Sequence, residues 1–510
     1  MIIRLVVEGV ECTLVDARNN FRSAIILLCI SLPFTSFQAY GSDSSKPRGE
    51  EGSVSILAPV DAAANESGAG SDSKLHFDTY FTDGPLDVDE RCSIIEQRLE
   101  PFFGDTIDTI LVCGNTHTKR RTITREMATR EGDELLRDLV VRDASYLRGL
   151  GFFSDVDISA ARIAPGRVQV QVSVIERPAL FMRFPYPIVN YHFEKGVSFG
   201  FRWRIKNFRG QGENLLFYVN KRRDREHEGA LQWSTPWVGE HRIRLSLSVF
   251  NYRVLREPED DFLKERNGGS AAVSLPLTKS LIRRVWLTPS IIFEQRQSNI
   301  VPEWIDPGAG RVLYLQNILT LGLGLSYDSR DSYIAPGRGL NTGIGVSRSS
   351  AVHGLEQEYV FYGAYSYLYI PLRRIGTLIF AVDGLYRDGE LYEFYEFGMG
   401  GQNDLRGYEG SNDRGRTRLI GTLQVRRQFF GPTIFDLPWI GKFDLSMNAI
   451  AFVDHGALTD RPIDLTGARY LTTGGFGVEF ISPIQDIVRV ELAFGPGGDP
   501  VVYMTGGSRF

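Results

Sequence analysis

The sequence predicts an α+β domain of β-α-α-β-β order followed by an antiparallel transmembrane β-barrel, and three observations carry that expectation. From about residue 180 onward, apolar and polar residues alternate in run after run of about 9–11 residues, the length that crosses a bilayer at a tilt. All six Trp residues, at 203, 233, 237, 286, 304 and 439, fall in that same part, and Tyr and Trp stand near the ends of runs, where an aromatic girdle belongs. Between 104 and 178 the period is mixed instead, strand-like, then helix-like, then strand-like.

Composition narrows the function classes. The chain has 510 residues, with 57 Lys plus Arg against 62 Asp plus Glu, so the net charge is -5 and the basic face of a nucleic-acid binder is not expected. At 43% apolar it is not a disordered chain. A mean hydropathy of -0.14 and a single long apolar run exclude a helical membrane bundle, but they do not exclude a barrel. The counts of Gly (53), Tyr (21) and Phe (32) lean toward one. The four Cys, at 12, 29, 92 and 113, form no CxxC, and the seven His form no HxH or HExxH, so neither metal nor cofactor is expected. Cys92 and Cys113 read equally as a disulfide or as two free thiols.

Taken in order, residues 1–40 read as a signal sequence. The apolar run AIILLCISLPFTSFQAY (24–40) follows Arg22, with cleavage near 39–42, although Phe37 fits such a site poorly; a membrane anchor is the other reading. Residues 41–103, rich in Ser, Gly, Asp, Glu and Ala, read as a flexible linker with a short helix over 88–100. The α/β unit spans 104–178. TIDTILVC (106–113) is a strand and GNTHT a turn. Residues 119–130 form a helix with Ile123 and Met127 on one face, and 133–151 a second with Leu136, Val140, Leu147 and Leu150 on a stripe. FSDVDISAARI and RVQVQVSVIER (167–177) are two strands, the latter with Val168, Val170, Val172 and Val174 on one face.

Residues 179–510 make the barrel. In GVSFGFRWRIKNF, Val197, Phe199, Phe201, Trp203 and Ile205 share one face, and Ser198, Gly200, Arg202, Arg204 and Lys206 the other. RIRLSLSVF, TLGLGLSYD, KFDLSMNAIAFVD and DIVRVELAF repeat the pattern. A soluble sandwich also alternates, but Gly and Arg in mid-strand on the polar face suit a wet lumen. The segments number about sixteen, with about fourteen as the rival count.

Four stretches, taken with the α/β unit, resemble a known family. GNTHTKRRTITREM, SYLRGLGFFSDVDI and VQVQVSVIERP are similar to a polypeptide-transport-associated (POTRA) domain. The rest resembles the outer-membrane-protein-assembly (BamA-like) superfamily, bacterial surface antigen type. KNFRGQG (206–212) is similar to the turn after the second barrel strand. SYDSRDSYIAPGRG (326–339) is similar to the mid-barrel signature, through Asp328, Arg330, Asp331 and Gly339. Leu405, Arg406, Gly407 and Tyr408 look like the (V/I/L)RG(F/Y) motif of a long loop folded into the lumen, and AFVDHG (451–456) like the FxDxG strand. The resemblance covers about 104–510. It implies that Arg406 and Asp454 meet. Parity argues the same independently: Asp454 shares its face with Asp444, Ser446 and Asn448, so it faces the lumen, where a guanidinium and a carboxylate favour a bidentate pair. One departure stands out. Where the family often has a wall Glu on the strand after the loop, this chain has Gln424, which suggests a simpler pairing.

The resemblance implies a bacterial outer-membrane protein with its POTRA domain in the periplasm. It would insert or translocate polypeptide clients, either unfolded β-barrel or secreted chains, with the lipid bilayer, periplasmic chaperones or accessory lipoproteins as further partners. The other reading is a two-partner secretion pore exporting a specific substrate, and a third is a passive porin, which would need neither POTRA nor Arg406. The exposed edge for a client is expected at 167–175. A weak lateral seam is expected between a first strand within 179–190, with Pro185 and Pro187, and a last strand with Gly506, Gly507 and Phe510; alternatively 179–187 is only a linker. Gly196 to Gly200 match GxSxG around Ser198, but a nucleophile elbow needs a following helix and none is expected, so the chain is not read as an enzyme.

Overall fold

The computed structural model describes residues 4–7, 10–13 and 99–510, the last range without 184, 193–195, 223–226, 257–261, 299–313, 355, 374, 390–395, 409–413, 438–440, 483–485, 499 and 507–508. The apolar run at 24–40, the linker up to 98, and Cys92 lie outside the described residues. Strands β1 (Arg4–Val7) and β2 (Val10–Thr13) pair as a small antiparallel hairpin.

The α/β unit contains β3 (Thr106–Cys113), α1 (Arg120–Thr124), α2 (Arg137–Arg148), β4 (Phe153–Ala164) and β5 (Arg167–Glu176). Both helices are shorter than the sequence suggests, for traceable reasons. The chain leaves α1 at Arg125 because the buried carboxylate of Asp143 takes the N–H groups of Ala128 and Thr129, both at 2.8 Å, and so supplies an alternative to helical bonding. Residues 131–134 run along β3 before α2 starts. Gly132 N donates to Ile107 O, and Ile107 N donates to Asp133 O. That covers the outer edge of β3, which would otherwise expose unpaired backbone groups.

The sheet order is β3-β5-β4, with β5 parallel to β3 and antiparallel to β4. This overturns the expectation that 167–175 is an exposed edge: β5 is the central strand. The two helices carry the chain across to β4, and the tight β4–β5 hairpin then folds β5 back into the gap beside β3. The open edge is β4, which among the described residues no further strand pairs. Ile123, Met127, Leu147, Val156, Val170 and Val172 form the core beneath the helices. Leu99 and Phe102, placed by the sequence in the linker, are buried in it too, and so is Met182 of α3 (Ala179–Arg183). Residues 179–183 are therefore a helix packed on the α/β unit and not barrel strand. Cys113 is disulfide-bonded.

Among the described residues sixteen strands follow in one antiparallel sheet. They are β6 (Pro185–His192), β7 (Gly196–Phe208), β8 (Glu213–Arg222), β9 (His227–Thr235), β10 (Arg244–Arg256), β11 (Phe262–Pro276), β12 (Arg284–Ser298), β13 (Tyr314–Asp328), β14 (Gly339–His353), β15 (Glu358–Leu372), β16 (Gly376–Gly389), β17 (Thr417–Leu437), β18 (Gly441–Thr459), β19 (Leu471–Ser482), β20 (Asp486–Phe494) and β21 (Pro500–Gly506). Each pairs with its sequence neighbours, and among the described residues none joins β6 to β21. Parity separates the two faces. Phe199, Val249, Leu321 and Ile344 are more than half exposed, forming an apolar outer band, while Arg266, Glu294, Thr320 and Asp454 on the other parity are buried toward the lumen. Among the described residues no helix is long and apolar enough to cross a membrane.

Candidate functional site: the lumen lock and the domain seat

The β16–β17 connection enters the lumen from the side away from the α/β unit. Its backbone turns back on itself, with Gly401 N donating to Tyr408 O and Tyr408 N to Leu405 O, and Leu405 and Arg406 are fully buried at the tip. Gly407 holds φ +82, and a Cβ there would meet backbone atoms of Ala493 and Phe494 at 2.9–3.0 Å, so the tip presses directly on β20.

Arg406 spends its donors on three wall strands. Nε donates to Oδ2 of Asp454 at 2.8 Å, and Nη2 to Oδ1 at 2.9 Å, a bidentate fork onto β18. Its own backbone N–H adds a third bond to Oδ2 at 3.2 Å. Nη1 donates to Oε1 of Glu491 on β20 at 2.6 Å and to Oε1 of Gln424 on β17 at 3.2 Å. Thr422 Oγ1 completes Asp454 at 2.7 Å, and the guanidinium lies over the Phe452 ring. Gly407 N donates to the Tyr503 hydroxyl on β21 at 3.0 Å, and Arg418 binds Asp404 at 2.6 Å.

The sequence reading expected a simpler pairing because of Gln424. The wall carboxylate comes instead from Glu491 on β20, three strands further round. The available signal was an acid in mid-strand on the inward parity of DIVRVELAF, beside Arg489.

A second cluster closes the mouth on the α/β side. Asp328 at the end of β13 accepts from Arg330 at 3.0 and 3.1 Å and is 3.2 Å from Arg284. Arg284 also donates to the hydroxyls of Tyr333 and, at 3.0 Å, Tyr146 of α2. Asp331 accepts from Gly337 N at 2.9 Å, and Gly339 stands at φ +123 with Ser329 O 2.5 Å from the place of a Cβ. The four signature residues thus build one tight turn, and its Tyr333 touches the α/β unit.

The KNFRGQG turn is a third contact. Asn207 and Arg209 have positive φ, as do Gly210 and Gly212. His117 Nε2 pairs with Asn207 O at 3.0 Å, Asn207 Nδ2 donates to Thr118 Oγ1 at 2.8 Å, and Lys119 N and Thr122 Oγ1 both donate to Gly210 O. Elsewhere on the same rim Arg177 binds Asp444 near the start of β18 at 3.0 Å.

Of the expected seam residues, Pro185 and Pro187 stand in β6 and Gly506 closes β21. Gly507 lies outside the described residues. Phe510 is not at the seam: its ring packs edge-on against Tyr367 of β15, 5.5 Å between centroids. Ser198 sits inside β7, with no strand–turn–helix around it. Among the described residues no group of His, Cys, Asp and Glu is placed to hold a metal.

The model of the Omp85 superfamily domain matches residues 207–510, and the POTRA model, described as surface antigen variable number repeat, matches 106–177. Among solved structures, the chain is similar to CdiB from Escherichia coli, with a TM-score of 0.52 at 12% identity over 81% of this chain and 80% of that one. It is also similar to CdiB from Acinetobacter baumannii, with a TM-score of 0.50 at 14% identity over 79% and 73%. At such identities the likeness is one of fold. BamA from Haemophilus ducreyi lacking POTRA domains 1-3 matches at 17% identity over 79% and 84%, with a TM-score of 0.47.

Proposed function

The chain belongs to the Omp85 superfamily, and from that premise we propose that it inserts β-barrel polypeptides into a bacterial outer membrane, the POTRA domain receiving the client and the barrel releasing it sideways. It is an outer-membrane β-barrel with a periplasmic POTRA domain, of a family that handles polypeptide clients in that membrane as transporters or assembly factors and not as enzymes.

The observation that carries the reading is the seam. β6 and β21 each have a strand partner on one side only among the described residues. Pro185 and Pro187 remove two N–H donors from β6. A net backbone hydrogen bond is worth about 0.5–1.5 kcal/mol, so a short, donor-poor junction opens at modest cost. The lumen is the harder route. Its loop is held by a fully buried ion network, and breaking one such pair costs about 3–5 kcal/mol. The POTRA domain also lies against its mouth at Tyr146 and Arg177.

The client edge is β4, where an extended segment adds as a further strand. Periplasmic chaperones or accessory lipoproteins would deliver it there. The test is depletion of this protein in its host, with other outer-membrane barrels and secreted polypeptides quantified together. Loss of the barrels with secretion intact supports insertion. Loss of one secreted polypeptide with barrels intact would make export of a specific substrate the better reading.

A further inference from the structure

Arg509 lies beyond β21, yet its side chain is only 5% exposed. Nη1 donates to Oδ2 of Asp454 at 3.2 Å. Nη2 donates to the main-chain oxygen of Asp404 in the lumen loop, and to Oγ1 of Thr422 on β17 at 3.4 Å. Phe510 beside it packs on Tyr367 of β15. One guanidinium thus joins the segment beyond the last strand to the loop and to two wall strands.

The arrangement has a built-in dependence. Oδ2 of Asp454 already accepts from Nε and the backbone N of Arg406, and Arg509 is a third donor on the same oxygen. Two guanidiniums share one fully buried carboxylate, with Glu491 on the far side of Arg406 as the other acid in contact. Each cation tolerates the other only while Asp454 lies between them. Arg509 is also the group that ties the loop's own backbone, at Asp404, to the segment beyond β21. A planar fork can make these contacts in divergent directions at once, which a lysine ammonium on a flexible stem does less well.

We propose that Arg509 is a positioning residue: it latches the segment beyond β21 to the lumen loop, so that loop docking and the inward position of that segment are one linked equilibrium. Whatever displaces Arg509 loosens the loop, and whatever withdraws Arg406 frees the end of β21. Linkage requires the coupling to be reciprocal. The latch goes beyond the insertion reading and stands equally if the client is exported, because it concerns the order in which the protein's own parts release.

The experiment is hydrogen–deuterium exchange on the full chain in lipid nanodiscs, following peptides that cover 397–408, 500–506, β10–β13 and β3. In Arg509→Ala, exchange in 397–408 should rise about tenfold, within the usual range of coupling between sites. In Arg406→Ala, exchange in 500–506 should rise in return, while β10–β13 and β3 keep wild-type rates in both. Arg509→Lys should fall between wild type and Arg509→Ala, and it serves in place of the alanine variant if that fails to fold. Wild-type exchange of 397–408 in Arg509→Ala overturns the latch. So does a one-way effect. An equal rise throughout β10–β13 overturns it as well, since Arg509 would then be a general stabiliser of the barrel.

Discussion

A Cβ on Gly210 would stand 2.2 Å from the main-chain oxygen of His117, where the first periplasmic turn of the barrel meets the POTRA domain. Gly210 also holds φ +70. Only glycine meets both demands, and its own carbonyl then accepts from Lys119 and Thr122. Two stretches that the sequence marks separately, KNFRGQG and GNTHTK, are the two halves of this one seat.

Gly210→Ala should therefore unseat the POTRA domain without unfolding the barrel. The backbone strain alone costs about 1–3 kcal/mol, and the clash adds displacement of the 114–119 turn. Limited proteolysis of membranes should cut the POTRA domain faster, while heat-modifiable gel mobility stays normal. Unchanged proteolysis would show that this contact does not hold the domain.

Glu176 ties the same turn from the POTRA side. Its Oε2 accepts from Thr116 Oγ1 at 2.6 Å and His117 N at 2.9 Å, and its Oε1 from Thr118 N at 2.6 Å. Burial pushes the carboxyl up, but the hydroxyls of Thr116 and Thr118 and the two backbone N–H groups outweigh it, so the net pKa is lowered. A lowered acid contributes stability above its unfolded pKa and loses it as pH falls through the folded value. Docking should thus be pH-independent near neutrality and weaken below the ordinary carboxylate range. Glu176→Gln should be weaker at neutral pH and flat with acidification. Equal acid sensitivity in the variant would assign the effect to other groups.

Arg406→Ala should leave a folded barrel with a loose loop. It removes the bidentate partner of Asp454 and the nearer cation of Glu491, leaving Asp454 to Arg509 and Thr422 and Glu491 to Arg489 at 3.8 Å, and breaking such a buried pair costs about 3–5 kcal/mol. Asp454→Asn leaves Arg406 and Arg509 facing each other without their shared acid, so it should loosen the loop at least as much, and removing Arg406 as well should relieve part of that cost. The readouts are heat-modifiable mobility and a client-assembly assay. Wild-type activity in Arg406→Ala would remove the loop from the mechanism.

Glu491→Gln is the milder test of the same network. Arg406 keeps its fork onto Asp454, so only one charged hydrogen bond weakens, worth about 1.5–3 kcal/mol. Its barrel should melt between wild type and Arg406→Ala. Melting as low as Arg406→Ala would make Glu491, not Asp454, the principal partner. The contrast also marks how far the sequence can be read. The pair Arg406–Asp454 was legible because a loop motif and strand parity both pointed to it. Glu491 and Arg509 were not, because parity gives the face of a residue but not which strands lie side by side across a lumen. The same limit hid the position of β5. Its valine alternation is as regular in a central strand as at an edge, and only the path of the helices decides which it is.

The seam carries the last prediction. β6 holds Pro185 at its first residue and Pro187 opposite Phe201, positions a sheet tolerates at an edge, where a missing donor leaves no partner unmet. β21 pairs only seven residues with β20, from Pro500 to Gly506. Both end strands are short: β6 has 8 residues and β21 has 7, against 13 in β7, 9 in β20 and 21 in β17. A junction so sparse on both sides should open before any other pair of strands. One cysteine placed within 185–188 and another within 502–506, oxidised in the membrane, should close it covalently. Client assembly should then fall to background and return on reduction, while single-cysteine controls stay active. If the locked protein assembles clients at full rate, release does not pass through the seam, and passage through the lumen becomes the better account.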